Sequence, residues 1–313
     1  YKVSGYDRTP SKLTGKLEEE GIEIHYTPDI DALPKDVEQT LVIYTPAIPK
    51  DMEELVYAQE KGYRLIKRSR ALGIPVIERS EMLGMLTDMY ENTIAVSGTH
   101  GKTTTSTLLA HLFTHSGKGC SAFLGGISKN YRTNLLLSKN PVLVAEADEF
   151  DRSFHWLSPY ATVITSTDAD HLDIYESEEA YLESFRHYTS LIRPDGFLIL
   201  HTGLKMKPDT QEGVTTYTYG REDGDFHAEN IQIGNGEITF DLVSPLGNIP
   251  NIRLGVPLSI NIENGIAAMA LAQIAGATTE EIQTGMASFN GVGRRFDFHV
   301  KTDRIAYLSD YAH

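Results

Sequence analysis

The segment Thr93–Leu109, TIAVSGTHGKTTTSTLL, limits the fold more tightly than any other part of the chain. A strand-like run, TIAVSG, meets a helix-like run beginning at Lys102 through a short turn that carries Gly98 and Gly101. Strand, glycine turn and helix in that order are the setting of an anion-holding loop in an open α/β sheet. The turn nevertheless departs from the usual G-x-x-x-x-G-K-[ST] spacing, because Val96 stands six residues before Lys102. Three readings follow: a damaged nucleotide site, a chance run of small residues, or a compact variant of the loop.

The flanking residues favour the third. Gly98 and Gly101 would let backbone approach phosphate oxygens closely. The N–H groups of Gly101, Lys102, Thr103 and Thr104 would sit at the helix start, where the dipole favours an anion. Lys102 could reach terminal phosphates, and the Thr103 hydroxyl could serve Mg²⁺. Without this context the bland alternative is a tight strand–helix turn whose lysine sits in solvent.

Strands and helices alternate on both sides of this turn. In the first ninety or so residues, YKVSGYD, TLVIYTPAI and GIPVIE read as strands, and SKLTGKLEEEG and KDMEELVYAQEKG as helices closed by glycine. RSEMLGMLTDMYEN reads as a helix leading into a second unit. There the helix KTTTSTLLAHLFTHSG carries Leu108, Leu109, Leu112 and Phe113 at core-facing spacing. PVLVAEAD, YATVITS and GFLIL follow as strands, with SEEAYLESFRHYTSLI as a helix between the last two. The period then changes to two over DFHAENIQIGNGEITFDLVS, where Asn235-Gly236 predicts a hairpin turn. NGIAAMALAQIAG and TTEEIQTGMASF read as helices and DRIAYLSDY as a last strand. The fold class expected is α/β: a Rossmann-like N-terminal domain over residues 1–91, then a doubly wound ATPase-type domain with an antiparallel β appendage over residues 92–303.

Two of these strands run directly into acidic clusters. PVLVAEADEFD ends in Glu146, Asp148, Glu149 and Asp151, and YATVITSTDADHLD ends in Asp168, Asp170, His171 and Asp173. Parallel strands share one carboxyl edge, so these groups and the glycine turn are predicted to meet in one crevice. Oxygen ligands beside a lysine suit a metal–triphosphate site. Glu146 follows four apolar residues, and a buried carboxylate needs a partner or a metal. For Asp151 and Asp173 taken singly, a solvated loop is the better reading, and a lone histidine such as His171 gains weight only from its neighbours.

The net charge of −15 argues against a general nucleic-acid binder but leaves room for a local cationic pocket. No apolar run approaches a membrane-spanning length of about 18 residues. The first residues lack a signal-peptide pattern, and Cys120, the single cysteine, cannot form an internal disulfide; together these predict a cytoplasmic protein.

GTHGKTTT, EADEFDRSF and DADHLDIY, in that order, resemble the Mur ligases, ATP-dependent amide-bond-forming enzymes of peptidoglycan precursor synthesis. The resemblance extends over nearly the whole chain through VSGYDRT, TPAI, GIPVIERSEML, GRRFDF and DYAH. In that light the short loop is the family's normal form. The pattern is most similar to members that join L-alanine to UDP-N-acetylmuramate. The resemblance implies ATP and Mg²⁺ as cofactors, with Gly98, Thr99, His100, Gly101, Lys102, Thr103 and Thr104 around the phosphates. It implies Lys102, Glu146 and His171 as catalytic groups and Thr103, Glu146 and His171 as metal ligands or near-ligands. Asn261 and Asn264 match two asparagines near the ATP base, although Ile260 stands where a histidine is usual. Arg294 and Arg295 match an arginine pair of which at least one faces phosphate. Ser166 stands where asparagine is usual, and Asp7, Thr45, Pro46 and Ala47 follow strands in the part that would meet the UDP-sugar.

The family has three domains, for UDP, for ATP and for closure with the amino acid. The third is expected to be absent here, with residues 304–313 only its start. No nucleic-acid or membrane partner is expected, and the state is a monomer or a homodimer. Two alternatives stay open: a murein-recycling ligase that attaches a tripeptide to the same sugar nucleotide, and a piece that only binds nucleotide. Folylpolyglutamate synthetases are more distant, since the histidine of GTHGK and the early segments speak against them.

Overall fold

The structure, a computed structural model, describes residues 2–45, 48–49, 51–67, 79–170, 172–301 and 305–310. The chain forms two compact units, Tyr1–Glu78 and Arg79–His313.

In the first unit β1 (Ser4–Tyr6) pairs in parallel with β2 (Glu23–His25), and β3 (Leu41–Tyr44) with β4 (Arg64–Lys67). Each pair is bridged by a helix, Lys12–Glu19 or Glu53–Glu60. Ser11 starts the first of these with a reciprocal capping box to Thr14, a favourable stop for two otherwise orphaned N–H groups. Glu54 is nearly buried and accepts from the Asp29 N–H at 2.7 Å and from His25 Nε2 at 2.8 Å, tying the second helix to the end of β2. The strand expected from GIPVIE lies outside the described residues.

The second unit is built on a seven-stranded sheet: β5 (Asn92–Ser97), β6 (Ser121–Ser128), β7 (Thr133–Leu136), β8 (Val142–Ala147), β9 (Ala161–Ile164), β10 (Phe197–His201) and β11 (Thr215–Tyr219). The spatial order is β11-β10-β9-β5-β8-β6-β7, parallel throughout except for the β6–β7 edge pair. Alternation along β5 sends Ile94 and Val96 into one core and Ala95 into the other. The first core is covered by the helices Lys102–His115, Ile260–Ile274 and Thr279–Ser288, with Leu109, Phe113, Ile266 and Met269 in it. The second gathers Phe154, Tyr181, Phe185 and Tyr188, brought by the helix Glu178–Ser190 and the 3₁₀ segment Phe150–Trp156. Each of these fully buried side chains contributes roughly 1.5–3 kcal/mol relative to exposure.

The antiparallel appendage is β12 (His227–Gly234), β13 (Glu237–Val243) and β14 (Ile249–Arg253). Asn235 and Gly236 both have positive φ, at 51° and 76°, as a two-residue type I′ hairpin requires. Its inner residues Phe240, Leu242, Ile249 and Ile252 join the first core. A further antiparallel pair, β15 (Asp297–Lys301) and β16 (Ala306–Ser309), ends the described chain. No helix among the described residues is long and apolar enough to cross a membrane.

Candidate functional site

Register brings the site's elements together. β5 lies between β8 and β9, with Val96 opposite Glu146 and Ser97 opposite Ile164. All three strands therefore end level with one another, and the turn after β5 sits between the acidic end of β8 and the Thr165–Asp170 segment after β9.

The turn's shape depends on its glycines. Gly98 has φ +124° and Gly101 φ +85°, in the region L side chains rarely adopt. A Cβ on Gly98 would lie 2.3 Å from Thr165 Oγ1, and one on Gly101 2.7 Å from Asn264 Oδ1. Hydrogen bonds stitch the turn to the end of β9, among them one from the Thr165 hydroxyl to His100 O. The Thr99 N–H donates to Ser166 O at 3.1 Å, the His100 N–H to Ser166 Oγ at 2.8 Å, and the Thr99 hydroxyl to Asp168 O at 2.7 Å. Ser166 thus supports the turn directly. His100 is exposed, with Nε2 3.9 Å from Asp168 Oδ2. Gly101 caps the following helix and, lacking a side chain, makes no side-chain cap bond to it. The first N–H groups of a helix lack intrahelical acceptors, so this end is suited to an anion.

Two carboxylates from the end of β8 face the first turn. Thr103 donates its hydroxyl to Glu146 Oε1 at 2.8 Å, and Gly125 N–H and Ser106 Oγ donate to Glu146 Oε2 at 2.9 and 3.4 Å. Lys102 Nζ donates to Glu149 Oε2 at 2.6 Å and lies 3.8 Å from Asp148 Oδ1. Glu149 is only 1% exposed. Burial pushes its carboxyl above the usual range, and the Lys102 ammonium opposes that shift. Thr104, in the same turn of helix, is half-buried.

The donors fit a hard divalent cation. Thr103 Oγ1 and Glu146 Oε1 are oxygens 2.8 Å apart, close to the roughly 2.9 Å edge of an octahedral magnesium shell. Among the described residues no three His, Cys, Asp or Glu side chains gather as a ready metal cluster. His171 lies outside the described residues.

The two asparagines form a buried spine under the turn. Asn264 Oδ1 accepts from Thr105 Oγ1 at 3.3 Å, Asn264 Nδ2 donates to Asn261 Oδ1 at 3.1 Å, and Asn261 Nδ2 donates to Val256 O at 3.1 Å. Arg294 is exposed in a segment docked along β6, where the Gly293 N–H bonds Ile127 O at 2.9 Å and Lys129 pairs with Asp297 at 2.6 Å. A Cβ on Gly126 would lie 2.6 Å from Val292 Cγ1 and 2.9 Å from Thr103 Cγ2, so the same segment borders Thr103. In the first unit, Asp7 follows β1, donates from its N–H to His25 O at 3.1 Å and accepts from the Thr9 N–H at 3.0 Å. Thr45 follows β3; Pro46 and Ala47 lie outside the described residues.

Sequence reasoning overlooked the partners that hold these groups. Glu149 is written into an acidic run without any signal that it, rather than Asp148 or Asp151, is buried against Lys102. Gly125, Ser106 and Thr165 were likewise unremarked. A second polar cluster at the end of β10 was also missed. His201 Nε2 lies 3.6 Å from Glu263, whose carboxyl is held below its usual range mainly by hydrogen bonding from His201, and Arg221 Nη1 donates to Ser259 Oγ at 3.0 Å.

Comparison with known proteins bears on this geometry. A family model described as the Mur ligase middle domain matches residues 96–272, and one described as the Mur ligase family, catalytic domain, matches residues 1–74. The chain is 62% identical over its full length to a UDP-N-acetylmuramate–L-alanine ligase of Phocaeicola vulgatus, and 52% identical to one of Parabacteroides distasonis. It covers 66% of the length of each, just under two thirds. Among solved structures, a UDP-N-acetylmuramate-alanine ligase from Thermotoga maritima superposes with a TM-score of 0.67 at 26% identity, covering 99% of this chain and 68% of that one.

Proposed function

The chain belongs to the Mur ligase family, and on that premise we propose that the protein containing it joins L-alanine to UDP-N-acetylmuramate, driven by ATP, in peptidoglycan precursor synthesis. The observation that carries the reading is the double pairing at one helix start: Lys102 with Glu149 and Thr103 with Glu146, behind a glycine turn. The names borne by relatives at 62% and 52% identity support the choice of substrates.

The reaction has two steps. The lactyl carboxylate of UDP-N-acetylmuramate attacks the γ-phosphorus of ATP, and the bond to the β–γ bridging oxygen breaks to give an acyl phosphate and ADP. The amine of L-alanine then attacks the acyl carbon, loses a proton, and expels inorganic phosphate to leave the amide. Phosphoryl transfer needs positioning and charge neutralisation more than covalent help. The N–H groups of Gly101 to Thr104 hold the phosphates, with Gly98, Thr99 and His100 shaping the turn. Lys102 neutralises charge building on the terminal phosphates. Mg²⁺, held by Thr103 and Glu146 with His171, supplies Lewis-acid charge neutralisation when bound. Arg294 adds a cation toward phosphate, and Asn261 and Asn264 keep the turn rigid beside the base. Ser166 borders the sugar substrate.

We assign residues 1–91 to UDP-sugar binding, with Asp7, Thr45, Pro46 and Ala47 as its contacts, residues 92–303 to the ATPase domain and residues 304–313 to the approach to a third. A cytoplasmic enzyme acting as a monomer or homodimer fits this role. The test is ATP consumption by the intact protein with UDP-N-acetylmuramate and a panel of amine substrates. Phosphate release that requires L-alanine supports the proposal. Release only with the tripeptide L-alanyl-γ-D-glutamyl-meso-diaminopimelate would replace it with the recycling reaction, and nucleotide binding without turnover would reduce the chain's protein to a binding module.

A further inference from the structure

Lys102 carries one partner that phosphate binding alone does not require. Glu149 accepts from its ammonium at 2.6 Å, and the two side chains are 13% and 1% exposed. Glu149 is anchored through its backbone. Its own carbonyl accepts from the Arg152 N–H at 3.0 Å and from the Tyr175 hydroxyl, and it caps the 3₁₀ segment Phe150–Trp156. Its carboxylate is almost wholly buried, whereas the lysine, more exposed, is a compact charge on a flexible four-carbon stem. If one of the pair moves when an anion arrives, it is Lys102.

Resting on the ATP-binding reading above, we propose that Glu149 is a positioning residue that competes with nucleotide phosphate for Lys102. It holds the ammonium at the helix start and is replaced there by phosphate oxygen when nucleotide binds. Two consequences follow from the chemistry. Transfer of Lys102 to phosphate leaves a buried carboxylate without its cation, which opposes binding. A fixed negative charge beside incoming phosphates opposes binding as well. Glu149 thus weakens nucleotide affinity, so ADP formed in the reaction is released more readily.

The experiment measures ADP and adenosine binding to the intact protein, wild type against Glu149→Gln, by calorimetry. Glu149→Gln keeps shape and hydrogen bonding and removes the charge. The expected result is ADP binding tightened about ten-fold with adenosine affinity unchanged. Damage to the fold would not produce a gain of this kind. Asp148→Asn removes an equal charge that lies 3.8 Å from Lys102 without a hydrogen bond to it, and should alter ADP affinity far less. Unchanged or weaker ADP binding by Glu149→Gln would overturn the proposal, as would an equal gain in Asp148→Asn. If Glu149→Gln does not fold, Glu149→Asp carries the test: its shorter reach should also tighten ADP, and no gain would overturn the idea. Failure of the wild-type protein to bind ADP would instead overturn the ATP-ligase reading itself.

Discussion

The Thr103 hydroxyl donates to Glu146 Oε1 at 2.8 Å, joining a helix start and a strand end separated by 43 residues of sequence. This bond closes a ring of elements: β5 leads to the turn, the turn to Thr103, Thr103 to Glu146, and β8 returns beside β5. The same two oxygens suit a divalent cation, so metal dependence is the first property to probe. Thr103→Val should raise the Mg²⁺ concentration for half-maximal ATP consumption by about ten-fold or more, and Glu146→Gln at least as much. Ser106→Ala, which loses only a 3.4 Å contact to Glu146, should shift it far less.

Lys102→Ala should lower kcat/KM by at least about 10²–10³-fold, since it removes a cation from the developing phosphate charge. It should also destabilise the protein by roughly 3–5 kcal/mol, because Glu149 is left buried and unpaired. The double variant Lys102→Met/Glu149→Gln should recover most of the stability and none of the activity. Urea unfolding and phosphate-release kinetics on the same samples separate the two effects.

Gly98→Ala should be costly for two reasons that the structure separates from simple glycine loss. Its φ of +124° strains any side chain, and its Cβ would meet Thr165 Oγ1 at 2.3 Å. A loss of about 1–3 kcal/mol is expected. Gly234→Ala, whose Cβ would meet nothing within 4 Å, should stay within about 0.5 kcal/mol of wild type.

Stability should fall with acid in a window set by His111. This histidine is 2% exposed, bonded to the Tyr131 hydroxyl at 2.9 Å and to Ser288 Oγ at 3.0 Å, and burial holds its pKa down at about 4 against 6.5. Between those values the unfolded chain binds the proton and the folded one does not, so stability rises with pH there. Nothing is lost above pH 6.5, and the loss on acidification levels off below about pH 4. The full effect is roughly 3 kcal/mol. His111→Gln should flatten this part of the curve in urea unfolding between pH 7 and pH 4, whereas an unchanged slope would mean the group is not responsible.

Much of the central unit could be read from the chain because its strands and helices carry clean periods. Leu108, Leu109, Leu112 and Phe113 were expected inward and are all buried. The Asn235-Gly236 turn has the dihedral signs its residues demand. The edge pair β6–β7 escaped notice because SAFLGGIS carries two adjacent glycines that weaken a strand pattern. Their reason lies in the fold: a Cβ on Gly125 would come within 2.5 Å of Glu146 Oε2, and one on Gly126 within 2.6 Å of Val292 Cγ1. The helix read from Asn264 begins earlier, at Ile260, since Asn261 is drawn into the buried spine beneath the turn. The burial of Glu149 was illegible for a different reason. It depends on the 3₁₀ segment folding back, with Asp151 and Arg152 at φ 50° and 56°, a conformation no local rule assigns to DEFDR.

The most direct test of the site is a crystal structure of the intact protein with Mg²⁺ and a non-hydrolysable ATP analogue. The proposed site requires phosphate oxygens on the N–H groups at the start of the Lys102–His115 helix, Lys102 turned onto them, and the cation beside Thr103 and Glu146. A triphosphate bound elsewhere, with the Lys102–Glu149 and Thr103–Glu146 pairs both undisturbed, would contradict it.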